Sequence, residues 1–201
     1  MESIDDKILS KIRKCGVGKI YFSSDFSSYG ESKSVLKALE RLVKDEKLIR
    51  LSRGIYLYPK MDKELGLGVL YPSLETIAQS IAKRDKARIA PTGIYALNKL
   101  GLSTQIPMNV VYLTDGSPRK INLSDGRIIV FKQATPKKMS FSSELAMLIV
   151  FALKEITKDR VTDEHLEKIK SLLQNEPKER IMADSNLMPA WIKSIIMKMY
   201  E

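Results

Sequence analysis

The residues of this chain whose types and spacing could do chemistry are basic, and they gather between positions 33 and 53. Lys33, Lys37, Arg41 and Lys44 recur at intervals of three and four residues. On a helix turning about 100° per residue they share an arc of about 80°, with Ser34 beside them. Ammonium and guanidinium groups on one helix face neutralise phosphates, and a guanidinium fork or a small hydroxyl reads base edges. Arg50 and Arg53 follow and extend the same chemistry. Lys33, Ser34, Lys37, Arg41, Lys44, Arg50 and Arg53 are therefore the candidate surface for double-stranded DNA. Ser34, Lys37 and Arg41 are expected to reach base edges, while Lys33, Lys44 and Arg53 hold phosphates. The bland alternative is a solvated helix face, the usual meaning of a helical charge stripe.

No other group of residues suggests a reaction. The single histidine, His165, and the single cysteine, Cys15, stand far apart, which disfavours a Cys/His nucleophile pair. No hydrolase elbow or phosphate-cradling loop is present. Gly116-Ser117 would open a nucleotidyltransferase signature, but no paired aspartates follow it. A nuclease needs clustered carboxylates to hold magnesium. Asp115 and Asp125 are the acids near the central strands, and both sit at turn positions. The expectation is no catalytic residue, no cofactor and no metal, with a degenerate nuclease as the least favoured alternative.

The elements around the basic set have a readable order. A helix over 32–44, with Ser32 as its expected N-cap, places Val35, Leu36, Leu39, Leu42 and Val43 on an arc of about 120°. A strand at 48–51, a turn at Ser52-Arg53-Gly54 and a strand at 55–58 follow, stopped by Pro59. Upstream, Ser3 caps a first helix with Asp5 and Asp6 in its first turn. Ile4, Ile8, Leu9, Ile12 and Cys15 form its expected core stripe, and Gly16 closes it. A short strand at 19–22, a short helix from Ser23 and a turn at Tyr29-Gly30 complete the set. Helix, strand, helix, turn, helix and ribbon is the order of a winged helix-turn-helix, assigned to residues 1–60.

Residues 59–72 read as a linker between Pro59 and Pro72. An α+β interaction domain is expected over 73–201. It begins with a helix at 73–83, a charged connection at 84–88 and a helix at 92–100 stopped by Gly101. Strands at 109–114, 119–123 and 127–133 then form a β-meander, and the last third is helical. A helix opens at Phe141 and Ser142, Thr162 caps the next, and Pro177 and Pro189 suit first turns. A final amphipathic helix carries Trp191, Ile192, Ile195, Ile196 and Met199. The fold class is α+β throughout.

Charge divides along the same line. The chain of 201 residues carries a net charge of +10, made of +4 over 1–72, +7 over 73–140 and −1 over 141–201. Such a balance favours polyanions, nucleic acid first. RNA is the alternative ligand for the basic middle, although no stacking-aromatic motif of the RNA-recognition type accompanies it. One cysteine excludes an internal disulfide and a cysteine-based zinc cluster, and suits a reducing cytosol. No apolar run reaches the roughly 18 residues of a spanning helix. The expected location is cytoplasmic, with no membrane partner.

Two stretches resemble a known family. Arg41-Leu42 with Arg53-Gly54-Ile55-Tyr56 resembles the N-terminal part of AbiEi-type antitoxins. The run from Ala90 to Ser103, followed by the 110–114 strand, resembles the segment after the wing in that family and its uncharacterised relatives. The resemblance covers roughly residues 1–135. It implies a bacterial DNA-binding protein that represses its own operon and counteracts a nucleotidyltransferase-like toxin. Contact with that toxin, or with a second copy, is expected through residues 141–201. The competing reading is an interaction protein that uses the winged helix only as scaffold.

Overall fold

The structure, a computed structural model, describes residues 2–62, 64 and 66–200. It is an α+β chain with three small sheets among the described residues. By contact it forms two compact units, residues 1–81 with 121–127, and residues 82–120 with 128–201.

The first unit opens with helix α1 (Ile4–Cys15). The Asp6 N–H donates to Ser3 Oγ at 3.1 Å and the Ser3 N–H to Asp6 Oδ2 at 3.3 Å, so two orphan donors of the first turn are paired reciprocally. Ile8 and Ile12 are fully buried, but Cys15 is exposed rather than part of the core. It is the last helical residue, and the buried positions of α1 end at Ile12, one turn earlier.

Strand β1 (Ile20–Phe22), a 3-10 helix (Ser23–Tyr29), α2 (Ser32–Lys44), β2 (Ile49–Ser52) and β3 (Ile55–Leu57) follow. The strands form an antiparallel sheet in the order β1-β3-β2, with Ile20 and Ile49 both opposite Leu57. The core joins Ile8 and Ile12 to Phe26, Val35, Leu39 and Leu42. Burying each such side chain contributes about 1.5–3 kcal/mol. Segment 121–127 belongs to this unit. Ser52 Oγ donates to the Asn122 carbonyl at 2.8 Å and the Ser124 N–H to the Leu51 carbonyl at 2.8 Å, which occupies part of the outer edge of β2.

Two expectations fail here. Ser32 is the first helical residue of α2, not its cap; Glu31 precedes it and makes no side-chain capping bond. The stretch 59–72 is no bare linker, because β4 (Lys60–Asp62) and β5 (Gly68–Leu70) pair antiparallel with Met61 opposite Val69. Strands of three residues are too short to show an alternation in sequence. Residues 63 and 65 of that stretch lie outside the described residues. Helix α3 (Leu74–Asp85) follows with Ile77, Ala78 and Ile81 fully buried, and the boundary between the units falls within it.

The second unit is built on β6 (Ile89–Thr92), α4 (Ile94–Lys99), β7 (Asn109–Thr114) and β9 (Ile128–Gln133), and β8 (Arg119–Asn122) starts in it and ends in segment 121–127. The three strands β7, β8 and β9 lie where the sequence places them, but they are not a meander. The sheet order is β6-β7-β9-β8, and β7 runs parallel to β9 from the Asn109–Ile128 pair to the Thr114–Gln133 pair. The physical reason lies at the end of β7. Asp115 closes no hairpin; its carboxylate accepts the Arg88 N–H at 2.7 Å and the Arg88 Nε–H at 2.8 Å, tying that end to the start of β6. Strand β6 thereby takes the other edge of β7, antiparallel, with Ile89 opposite Thr114. Thr92, expected in a helix, ends β6, and Gly93 at φ 63° turns the chain into α4. A side chain is strained at that φ, so glycine suits the corner.

Helix α5 (Glu144–Ile156) starts later than expected, with Ser143 as its cap. It is apolar nearly all round and therefore central. Helices α6 (Asp163–Leu173), α7 (Lys178–Ala183) and α8 (Ala190–Lys198) pack around it, and Ile169, Ile181, Ile192 and Ile196 join its core. Asp184 is buried and holds the entry to α5, accepting both Ser142 N–H and Ser142 Oγ–H as well as the Ser143 N–H, each within 3.0 Å. Thr162 caps α6 as expected. His165 is half-buried and closes that capping box, its Nδ1 accepting the Thr162 N–H at 3.2 Å. No helix among the described residues is long and apolar enough to cross a membrane.

Candidate nucleic-acid interface

Helix α2 commits one face to the core and leaves the other to solvent. Its buried residues are Val35, Ala38, Leu39 and Leu42. The buried arc is turned towards Ala38, and Leu36, expected inside, is 39% exposed. On the opposite face Lys33, Ser34, Lys37, Arg41 and Lys44 are all exposed, as the helical spacing requires. Arg50 is exposed on β2 opposite the buried Tyr56, just before a register shift in that strand. Arg53 is exposed at the tip of the β2–β3 turn, where Gly54 at φ 74° supplies the conformation the turn needs. Lys33, Lys37, Lys44, Arg50 and Arg53 make no ion pair among the described residues.

Arg41 behaves differently. Its Nε–H donates to Asp5 Oδ2 at 2.9 Å and its Nη2–H to Asp5 Oδ1 at 2.5 Å. These paired hydrogen bonds hold the Asp5 carboxyl below the ordinary carboxylate value and push Arg41 further up. The residue expected to offer its fork to a base edge already has that fork filled. The sequence marks Asp5 only as an acid at a helix N-terminus; nothing in it links position 5 to position 41.

The sequence reading also missed two features beside the face. The first turn of α2 contains no acidic residue, and its first N–H groups receive no side-chain cap. They border a hollow of about 440 Å³ lined by Ser23, Ser24, Ser27 and Ser32 with Gly30 and Leu36. Hydroxyls and unpaired amides together favour an anion. On α1, Lys7, Lys11 and Lys14 line a second hollow of about 530 Å³ with Ser10 and Tyr29. Lys11 is occupied there, donating to the Asp25 carbonyl at 2.5 Å beneath the Phe26 ring, 5.3 Å from its centroid.

The basic middle segment is arranged on another plan. Arg84 and Arg119 both pair with Asp85, Arg88 with Asp115, and Arg127 with Asp125. Arg119 also lies over the Phe131 ring, 5.5 Å from its centroid. Asp115 and Asp125 each accept from a backbone N–H and from an arginine, which holds both carboxyls below their ordinary value. Asp125 shapes its turn through Arg127, two residues on, whereas Asp115 ties the end of β7 to Arg88 before β6. Among the described residues no three His, Cys, Asp or Glu residues gather in a way that could hold a metal ion.

No curated protein matches this sequence. Among solved structures, the RV2827C protein from Mycobacterium tuberculosis is similar at 15% identity and a TM-score of 0.46, covering 97% of this chain and 81% of that one. The sequence model of a family of unknown function, DUF6088, matches residues 7–181, which is most of the chain. The chain belongs to the DUF6088 family.

Proposed function

We propose that this protein is a winged-helix DNA-binding regulator in which α2 is the recognition helix and the β2–β3 ribbon is the wing. The observation that carries the reading is the exposed, unpaired set of Lys33, Lys37, Lys44 and Arg53, opposite a face fully committed to α1 and Phe26. A recognition helix enters the major groove with its N-terminal residues deepest, which favours Ser34 and Lys37 as base contacts. Lys33, Lys44, Arg50 and Arg53 hold phosphates, and the uncapped amides at the start of α2 hold one more. Each neutralised phosphate releases counterions, so affinity arises largely from this face and falls steeply with salt.

The biological role that fits is an autorepressing antitoxin. That part rests on the resemblance of Arg53-Gly54-Ile55-Tyr56 and of the run from Ala90 to Ser103 to AbiEi-type antitoxins. The second unit is then the partner-binding half, meeting a nucleotidyltransferase-like toxin or a second copy. Ile192 and Ile196 are fully buried, so a partner at residues 141–201 meets other side chains, such as the half-exposed Met197. No enzymatic role is proposed.

The test is binding to the duplex upstream of the protein's own gene and to a random duplex of equal length, followed by anisotropy across a salt series. The expected result is preference for the upstream duplex and log affinity falling linearly with log salt. Absence of binding to either duplex at low salt would overturn the reading.

A further inference from the structure

Of the predicted DNA contacts on α2, Arg41 is the one whose charged group is engaged by another group among the described residues. Its two N–H groups meet the two oxygens of Asp5 side by side, at 2.9 and 2.5 Å. That is the geometry in which a guanidinium meets guanine O6 and N7, or two oxygens of a phosphate. The same N–H groups cannot serve Asp5 and DNA together. The pair is also reachable, since the Arg41 side chain is 57% exposed and that of Asp5 is 23% exposed. Asp5 is not part of the capping box of α1, which Ser3 and Asp6 form, although it lies in the first turn beside the helix dipole. Its carboxylate accepts the Arg41 fork and stands at the edge of the cationic face.

We propose that Asp5 sets the selectivity of the α2 surface by occupying the Arg41 fork in the free chain, so that DNA gains this contact only by displacing it. The proposal rests on the reading of α2 as a DNA-contacting helix and deepens it. A phosphate met at random offers Arg41 no better geometry than Asp5 does, so the exchange yields little. A guanine edge in a fitting site offers two fixed acceptors in a plane, and the exchange is favourable there. Asp5 also keeps a negative charge beside the groove-facing surface, which weakens binding to any duplex that fails to displace it. The effect is discrimination: random DNA loses more affinity than the fitting site does.

The test compares wild type, Asp5→Asn, Arg41→Ala and the double variant on the upstream duplex and on a random duplex, across a salt series. Asp5→Asn should raise affinity for the random duplex by about three- to tenfold and steepen its salt slope by about one, since one more cation meets phosphate. Affinity for the upstream duplex should rise less, so the preference narrows. Arg41→Ala leaves the Asp5 carboxylate without its partner, so random-duplex affinity should fall by no more than about threefold, and Asp5→Asn in that background should recover less than it gains in wild type, without steepening the salt slope. Thermal melts check folding, and Asp5→Ala substitutes if Asp5→Asn melts early. The inference is overturned if Asp5→Asn lowers random-duplex affinity, leaves affinity and slope unchanged, or raises affinity equally without Arg41. A large loss of random-duplex affinity in Arg41→Ala overturns it independently of any Asp5 variant. Wild type that binds neither duplex sinks the DNA reading itself, whereas wild-type binding with an indifferent Asp5→Asn sinks only the role of Asp5.

Discussion

Lys33, Lys37 and Lys44 on α2, and Arg84, Arg88, Arg119 and Arg127 further along the chain, are both dense sets of cations. The lysines face solvent without an acidic partner among the described residues. The arginines are each held by Asp85, Asp115 or Asp125. The chemistry of the two side chains explains part of the division. A guanidinium fork matches a carboxylate in two places and is weakly hydrated, whereas an ammonium is a strongly hydrated point charge. Arg41 follows the rule of its type and pairs with Asp5, although it lies on the lysine face. Charge density alone therefore overstates the surface that the middle segment offers to a polyanion. A cation is available to a polyanion only where no acid has already taken it.

The largest expected effect tests the free set. Replacing Lys33, Lys37 and Lys44 together with alanine should lower affinity for the upstream duplex by about a hundredfold or more and reduce the salt slope by about three. Melting should stay near wild type, because exposed substitutions of this kind usually change stability by about 0.5 kcal/mol or less. An unchanged slope would erase the distinction between the two sets.

The paired set should respond in stability rather than in DNA binding. Asp115→Asn removes the carboxylate that receives Arg88 in two places, at a cost of about 0.2–1 kcal/mol for a partly exposed pair. Its pH dependence has a definite sign. Arg88 holds the folded Asp115 carboxyl below the ordinary carboxylate value, so the pair stabilises at neutral pH and weakens as pH falls through the lower folded value. The melting difference between wild type and variant should be constant down to about pH 5 and close below it. A difference that persists in acid, or a changed DNA salt slope, would count against a purely structural pair.

The smallest effect concerns the edge between the two faces of α2. Leu36→Ala should cost far less than Leu39→Ala, because Leu36 is 39% exposed and Leu39 is fully buried. Burial of the Leu39 type is worth about 2–5 kcal/mol on truncation to alanine. Chemical denaturation of the two variants measures the gap, and equal losses would return Leu36 to the core.

The two faces of α2 were legible because helical periodicity alone separates Val35, Leu39 and Leu42 from Lys33, Lys37 and Lys44. The cap at Ser3, the ribbon around Gly54 and the three strands β7, β8 and β9 were legible for equally local reasons. The pairing of those strands was not. Alternating strands separated by turn residues suit a meander and a β6-β7-β9-β8 sheet alike, and the choice depends on which edge of β7 is already filled. The exposure of Cys15 was hidden as well, since a periodic stripe does not show where its packing partner ends.

By itself, the sequence determined which residues share a helix face, where chain direction turns and how charge is distributed, because each depends on neighbours a few positions apart. Tertiary structure decided that β7 runs beside β9, that Asp184 receives the Ser142 and Ser143 donors, and that Asp5 fills the fork of Arg41. Each of these joins groups distant in sequence through directional hydrogen bonds. Such bonds depend on distance and angle in the folded chain, and no pattern of residue types encodes either.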